Sequence, residues 1–563
     1  MKINSILNIF KRRDGVLSYT RRWVLLAFLV GICCGVGMIG FYLAISGLQL
    51  LFAGVPVYLS MIVGGVVAAL FIRFRKRGTI GTGIPYYIKC RRGAGDIRLS
   101  DVGSHFVTSA AAIGSGCIAG REGPAVFMGG GIALWLARLL RFPKEKRNLT
   151  LTIGGAAATS AIFQAPLGGS IFAAEIPYKH DLDAPEYMPS FLASLTSYFT
   201  FKFGILCLTG SYPHLLKLNI SSSLNSPLQL LYSFIVGIVT GLVGVLFVYT
   251  FHFARQRFAS LFRPELAVLI GIGITAIGSF ITLYLIKGDI PFGGTGFHIL
   301  NYIESGPHIS IEFLSVILVG TILASSLTVG MGVSGGVFGP SLVIGGCVGG
   351  IIGLIVDPEN VSAYVVIGMS ASHAASTKTP IASMILILEM SGFPPIFIAM
   401  AIANIAAFFV SGSKSLYFGQ ISDRLEELVN KIGDMDIISL LRVKDIMDKN
   451  SVSLEENQTV SAVRQLFTES GTQSLPIVNN ENVLRGVITL NDVDNKGGQT
   501  LIRHILKKEP VVVTPDTSIK DALALLFDQE TKGIAVVDNR CRFLGFLTIK
   551  DIITSCRHYV SGD

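Results

Sequence analysis

Charge is scarce in this chain of 563 residues: Asp, Glu, Lys and Arg make up only 15%, against 51% apolar residues. Soluble proteins of this length carry more charge, so a wholly aqueous globule is excluded. Cysteine offers no framework either. The eight cysteines, at 33, 34, 90, 117, 207, 347, 541 and 556, form no Cys-x-x-Cys or Cys/His cluster, which argues against both a disulfide scaffold and a zinc or other metal site. There is no legible nucleophile–base pair, metal set or Gly-rich phosphate loop, so an enzyme is not expected. The formal charge of +9 comes without a basic–aromatic surface pattern, and nucleic acid is not an expected partner.

What is present is long apolar sequence. Val24–Leu48, Leu230–Phe251, Ala267–Ile286 and Phe313–Val329 each reach membrane-spanning length. The first run is too long for a signal-peptide core, no small-residue cleavage pattern follows it, and it is expected to stay in the membrane. Lys11, Arg12, Arg13, Arg21 and Arg22, then Arg73, Arg75, Lys76 and Arg77, flank these runs. That placement predicts a cytoplasmic N-terminus. Beyond about Ser422 the apolar runs stop. The expected division is a membrane domain over 1–421, a linker over 422–442 with an acidic-amphipathic look (Asp423, Glu426, Glu427), and soluble units over 443–497 and 498–563.

One stretch of the membrane part stands out: Gly120-Arg121-Glu122-Gly123-Pro124. Across 105–137 the only acidic, basic or histidine residues are His105, Arg121 and Glu122. A carboxylate within a membrane is costly and is read first as functional. Gly-x-x-x-Pro also occurs at Gly81-Thr82-Gly83-Ile84-Pro85 and at Gly336-Val337-Phe338-Gly339-Pro340. Glycine admits backbone conformations closed to other residues and proline suits a first helical turn, so each copy predicts a break and a new helix start.

The spacing extends into a repeat. Gly129-Gly130 follows Pro124 as Gly345-Gly346 follows Pro340. Pro166 and Pro380 each have a glycine twelve residues before them, Gly154 and Gly368, and a glutamate nine residues after, Glu175 and Glu389. Matching breaks in two halves point to a transporter or channel with its site where the repeats meet. Converging helix N-termini present unpaired N–H groups and favour an anion.

With these motifs in order, the chain resembles the CLC chloride channels and proton/chloride exchangers, followed by a pair of CBS domains. Gly81–Pro85 is similar to the family's GSGIP with Thr for Ser, Gly120–Pro124 is GREGP unchanged, and Gly336–Pro340 is similar to GxFxP. Tyr417 sits where the family keeps a pore tyrosine late in its last membrane helix. The resemblance implies a polytopic all-α membrane domain of two inverted-topology repeats of broken helices, with α/β cytoplasmic CBS domains, assembled as a homodimer. Compactness and short tails suggest a bacterial inner membrane, with both termini cytoplasmic. It implies chloride as the transported ion, with protons involved. The anion-binding stretches would comprise Gly81, Thr82, Gly83, Gly120, Arg121, Gly123, Val337, Phe338 and Tyr417, and Glu122 would be the gate. Ionised, its carboxylate occupies an anion position; protonated, it swings out. Without the motif, Thr82 would read as a packing or capping residue, and Tyr417 as an interfacial aromatic.

One departure bears on mechanism. Family exchangers carry a second, proton-relaying glutamate after their Asn-Ala-Pro-Leu stretch; here Gln164-Ala165-Pro166-Leu167 leads to Glu175 and then Ile176. Isoleucine carries no proton, so passive or weakly coupled chloride movement is expected, with stoichiometric proton/chloride antiport as the alternative. A membrane-anchored nucleotide sensor with a vestigial pore is a further alternative. Glu175 and Glu389 are expected to be structural, bonded to backbone or facing water. Lys378 and His373 are expected to face the cytoplasm or an aqueous vestibule, Lys378 concentrating anions by its charge.

In the C-terminal part, Ser474–Asp492 is echoed by Gly533–Asp551, each ending in Thr-x-x-Asp, 59 residues apart. The CBS resemblance implies that Thr489, Asp492, Thr548 and Asp551 could hold an adenine nucleotide. Ordinary helix capping explains the same pattern. No cofactor is required for transport.

Overall fold

A computed structural model describes residues 15–72, 83–93, 95–142, 146–212, 215–216, 224, 226–286, 292–305, 309–392, 395–423, 441–470, 474–489, 492–493, 497–505, 510–528, 533–548 and 551–552. Gly81, Thr82 and most of the expected linker, Glu426 and Glu427 included, lie outside these residues. The chain divides into two compact units, Met1–Arg424 and Leu425–Asp563.

The first unit is helical among its described residues: α1 (Gly15–Leu51), α2 (Val57–Ile72), α3 (Ile84–Arg91), α4 (Leu99–Gly114), α5 (Glu122–Leu139), α6 (Arg147–Phe163), α7 (Pro166–Glu175), α8 (Ala184–Thr209), α9 (Pro227–Phe253), α10 (Pro264–Leu285), α11 (Phe297–Ser305), α12 (Ile311–Thr328), α13 (Phe338–Val356), α14 (Val361–Thr377), α15 (Pro380–Met390) and α16 (Phe397–Val410). Six described helices are long and apolar enough to cross a membrane. Their outward residues, such as Phe203, Leu246, Ile277 and Tyr284, are large and apolar, as a lipid-facing surface requires.

The duplicated landmarks become duplicated structure. α5, α6 and α7 correspond to α13, α14 and α15. In each set the first two helices cross at paired glycines, Gly129 on Gly154 and Gly345 on Gly368, where a methyl group on either would strike the other's carbonyl. In each set the second helix ends in a left-handed residue, Gln164 or Lys378, both at φ 60°. One more residue, then a proline at the first turn, starts the third helix. The repeats then lock to each other. Gly120 N donates to Gly336 O and Gly336 N donates to Gly120 O, both at 2.7 Å. Each repeat thus gives the other the contact it receives, as an approximate two-fold relation requires.

Glu175 and Glu389 extend that reciprocity. At the end of α7, Glu175 accepts from the first-turn N–H groups of Ile381 (3.3 Å) and Ala382 (2.8 Å) of α15. At the end of α15, Glu389 accepts from Leu167 (3.1 Å) and Gly168 (2.7 Å) of α7. Helix N-termini leave donors unpaired, and a carboxylate there meets both the hydrogen bonds and the dipole. Both glutamates are backbone-bonded.

The C-terminal unit carries α17 (Val443–Ile446), β1 (Leu454–Glu455), α18 (Val460–Ser470), β2 (Ser474–Val478), β3 (Leu484–Thr489), β4 (Val512–Val513), α19 (Ile519–Asp528), β5 (Gly533–Val537) and β6 (Phe543–Thr548). It forms two three-stranded sheets, ordered β1-β2-β3 and β4-β5-β6. In each, the first two strands pair in parallel across a helix and the second and third form an antiparallel hairpin, with Ser474 opposite Thr489 and Gly533 opposite Thr548. The hairpin tips cross-bond: Leu484 N donates to Cys541 O, and Phe543 N to Asn482 O.

Candidate anion site

Glu122 begins α5 and Phe338 begins α13, and the Gly120–Gly336 bridge brings these helix starts together. The Glu122 side chain is fully buried, and its Oε1 accepts from the Phe338 N–H at 2.7 Å. Oε2 has no partner among the described residues. A side chain on Gly120 or Gly336 would collide with this carboxylate where it now lies. The carboxylate of one repeat therefore sits on the helix N-terminus of the other, the position where a free anion would be favoured.

The phenol of Tyr417 is buried and has no hydrogen-bond partner among the described residues. One correction concerns its setting. Tyr417 is past the end of α16, in a turn, because the helix stops at Val410 and Gly412 takes a left-handed conformation at φ 59°. The Phe338 ring is held between Phe163 (4.5 Å between ring centres) and His373 (4.6 Å). Gly83, at φ 80° before α3, packs on Gly123 and Phe127 of the first turns of α5. This brings the end of the Gly81–Pro85 stretch to the same helix start.

Arg121 does not turn its charge to the site. Its guanidinium lies over the Tyr42 ring, 5.7 Å from the ring centre, which supplies a cation–π contact in a buried place. Ile176 is fully buried, and its carbonyl accepts from Gln420 Nε2 at 2.8 Å. The same amide group reaches the carbonyls of Tyr178 and Thr377.

His373 and Lys378 correct an expectation: both are buried within the protein. His373 Nδ1 lies 3.0 Å from Ser341 Oγ, with its ring against Phe338 and Phe172. Lys378 Nζ donates to Ser411 Oγ at 2.5 Å and lies over the Phe408 ring. The expectation took charge to mean water, whereas the fold offers these groups hydroxyls and aromatic faces. Sequence reasoning also missed Arg91. This buried arginine bonds Asp183, Glu186, Thr152 and Tyr178, and no motif advertises it.

In the C-terminal unit, Thr489 Oγ1 donates to Asp492 Oδ2 and Thr548 Oγ1 to Asp551 Oδ2, each at 2.6 Å. The backbone N–H groups of both threonines reach the same oxygens at 2.9 Å. Among the described residues no group of three or more His, Cys, Asp or Glu could hold a metal ion.

Two interlocked helical repeats in membrane-length apolar sequence, with paired helix starts meeting on a buried carboxylate, define a membrane protein of the ion-transporting class. The particular family follows: residues 64–412 match the Voltage gated chloride channel family, to which this chain belongs, and residues 443–496 and 502–558 match CBS domains. The H(+)/Cl(-) exchange transporter ClcA of Yersinia pestis is 28% identical over 327 residues, 55% of this chain and 66% of its own length. The chain thus spans just under two thirds of that relative. An uncharacterised protein of Methanocaldococcus jannaschii is 32% identical over 285 residues, 50% of this chain and 68% of its own. Among solved structures, a CLC-type fluoride/proton antiporter is similar over 73% of this chain and 100% of its own, with TM-score 0.64 and 21% identity. A eukaryotic CLC transporter is similar over 95% and 98%, with TM-score 0.59 and 19% identity. At these identities the likeness shows the fold.

Proposed function

We propose that the chain moves chloride across a membrane through a pathway that Glu122 opens and closes. The observation that carries this reading is the Glu122 carboxylate on the Phe338 N–H. A carboxylate is the side chain that imitates a small anion, and protonation ends the imitation. When Glu122 is ionised it fills the place at the α13 start. When protonated it leaves, and chloride takes the same N–H donor, with the backbone around Val337 and the phenol of Tyr417. Thr82, with Gly81, Gly83, Gly120 and Gly123, is proposed to complete the anion path, and the Arg121 backbone to cap α5. Ile176 stands on the inner side where a relay carboxylate would be needed, which supports weak or absent proton coupling. Stoichiometric antiport is the second reading, favoured by the exchange-transporter relative.

The working form is proposed to be a homodimer in a bacterial plasma membrane, one pathway per subunit, with both termini cytoplasmic. CBS domains commonly bind adenine nucleotides. Thr489, Asp492, Thr548 and Asp551 are the proposed contacts here, after they release the caps they form with each other. The gating test is chloride efflux from liposomes. Glu122→Gln is expected to give a constitutively open pathway whose rate no longer changes with pH. Unchanged pH dependence in a folded Glu122→Gln protein would sink the gating role.

A further inference from the structure

The turn from α9 to α10 opens into a cleft of about 640 Å3, and none of its lining residues is among those proposed for the anion path. Among the described residues its charged lining consists of Arg255 and Arg263, with no acidic residue. Glu265, in the first turn of α10, is not part of the lining. Neither arginine makes an ion pair among the described residues.

Arg255 is half-buried, with its guanidinium 4.4 Å from the centre of the Phe418 ring. His252 meets the same ring edge-on at 4.3 Å, and its Nε2 lies 2.8 Å from Ser415 O. A guanidinium facing an aromatic ring still presents N–H edges that fit a phosphate in pairs. The cleft has an apolar side too, where Leu261 and Phe262 stand exposed between the two arginines in sequence. The helical run that α9 begins continues to Leu261 and α10 begins at Pro264, so the cleft lies at the turn between two runs long and apolar enough to cross a membrane. Basic pockets between membrane helices are suited to acidic lipid headgroups.

We propose that this cleft binds the phosphate of an acidic phospholipid. Arg255 and Arg263 pair with the phosphate, while Leu261, Phe262 and Met331 meet the acyl chains. Through Phe418 the bound lipid touches the segment that carries Tyr417, so occupancy is linked to the wall of the anion pathway.

The test is lipid retention by the full chain in detergent, read by native mass spectrometry, with no transport measurement involved. Wild type is expected to keep phosphatidylglycerol over phosphatidylcholine by about tenfold, and Arg255→Gln/Arg263→Gln to lose that preference. Arg263→Gln alone, at an exposed side chain that the fold does not need, is expected to weaken it measurably. Arg257→Gln, equally basic but outside the lining, is expected to leave it unchanged. Equal retention of the two lipids, or equal loss in Arg257→Gln, would overturn the proposal in favour of none or of diffuse surface charge. Inorganic phosphate is the remaining arm: if it displaces the lipid at equal concentration and stabilises the protein as much, the site is one for a free anion and the lipid assignment fails.

Discussion

A single methyl group at Gly336 would stand where the Glu122 carboxylate lies. That makes Gly336 a more selective probe of the proposed gate than removal of the acid. Gly336→Ala is expected to push the carboxylate off the Phe338 N–H and raise chloride efflux at neutral pH. Added to Glu122→Gln it should give no further increase, because the neutral carboxamide has already left the Phe338 N–H. A folded Gly336→Ala protein with wild-type efflux would place the carboxylate elsewhere in the working state. Arg91 invites a different test. Its guanidinium is buried among Asp183, Glu186 and Thr152, so its loss strands carboxylates in a dry setting. Arg91→Gln is expected to cost about 3–5 kcal/mol, read as a lowered Tm in detergent, without changing the pH at which chloride efflux is half-maximal. At this scale Glu122 and Phe338 were legible because motif and cost coincide in them. Arg91 was hidden because its carboxylate partners lie more than ninety residues away in sequence. His373 and Lys378 were misplaced because sequence shows a charge without showing the ring or hydroxyl that receives it.

Elements explain why paired landmarks were the strongest signal. Pro124 and Pro340, Gly154 and Gly368, and Glu175 and Glu389 each mark something a helix must have at a fixed distance: a start, a close crossing, and a cap on the partner helix. Those demands are set by backbone geometry, so they keep their spacing while the side chains between them drift. The end of α16 carried no such mark strong enough to read, and Tyr417 was placed in a helix when it lies in the turn after it. The reciprocal caps make a prediction that separates structure from transport. Glu175→Gln and Glu389→Gln each keep one oxygen for the partner helix, and each is expected to cost about 1 kcal/mol. Neither should alter the pH dependence of chloride efflux. If Glu175→Gln abolished that dependence as Glu122→Gln is expected to, Glu175 would have to be a proton station and not a cap.

For the whole molecule, the two-unit division and the repeated strand–helix–hairpin pattern of the C-terminal unit were readable from where apolar runs stop and Thr-x-x-Asp recurs. The cleft at Arg255 and Arg263 was not, since it exists only when the α9–α10 turn meets the segment at Gly330–Gly332. The account also makes one demand of the complete pathway. If Glu122 gates by taking up a proton and Ile176 interrupts the inner route, as proposed, proton movement and chloride movement should come apart. Chloride and proton fluxes recorded together in liposomes under a chloride gradient test this most directly. The expected result is chloride efflux that rises with acid on one face while few protons move uphill. Protons driven uphill in fixed proportion to chloride would contradict it.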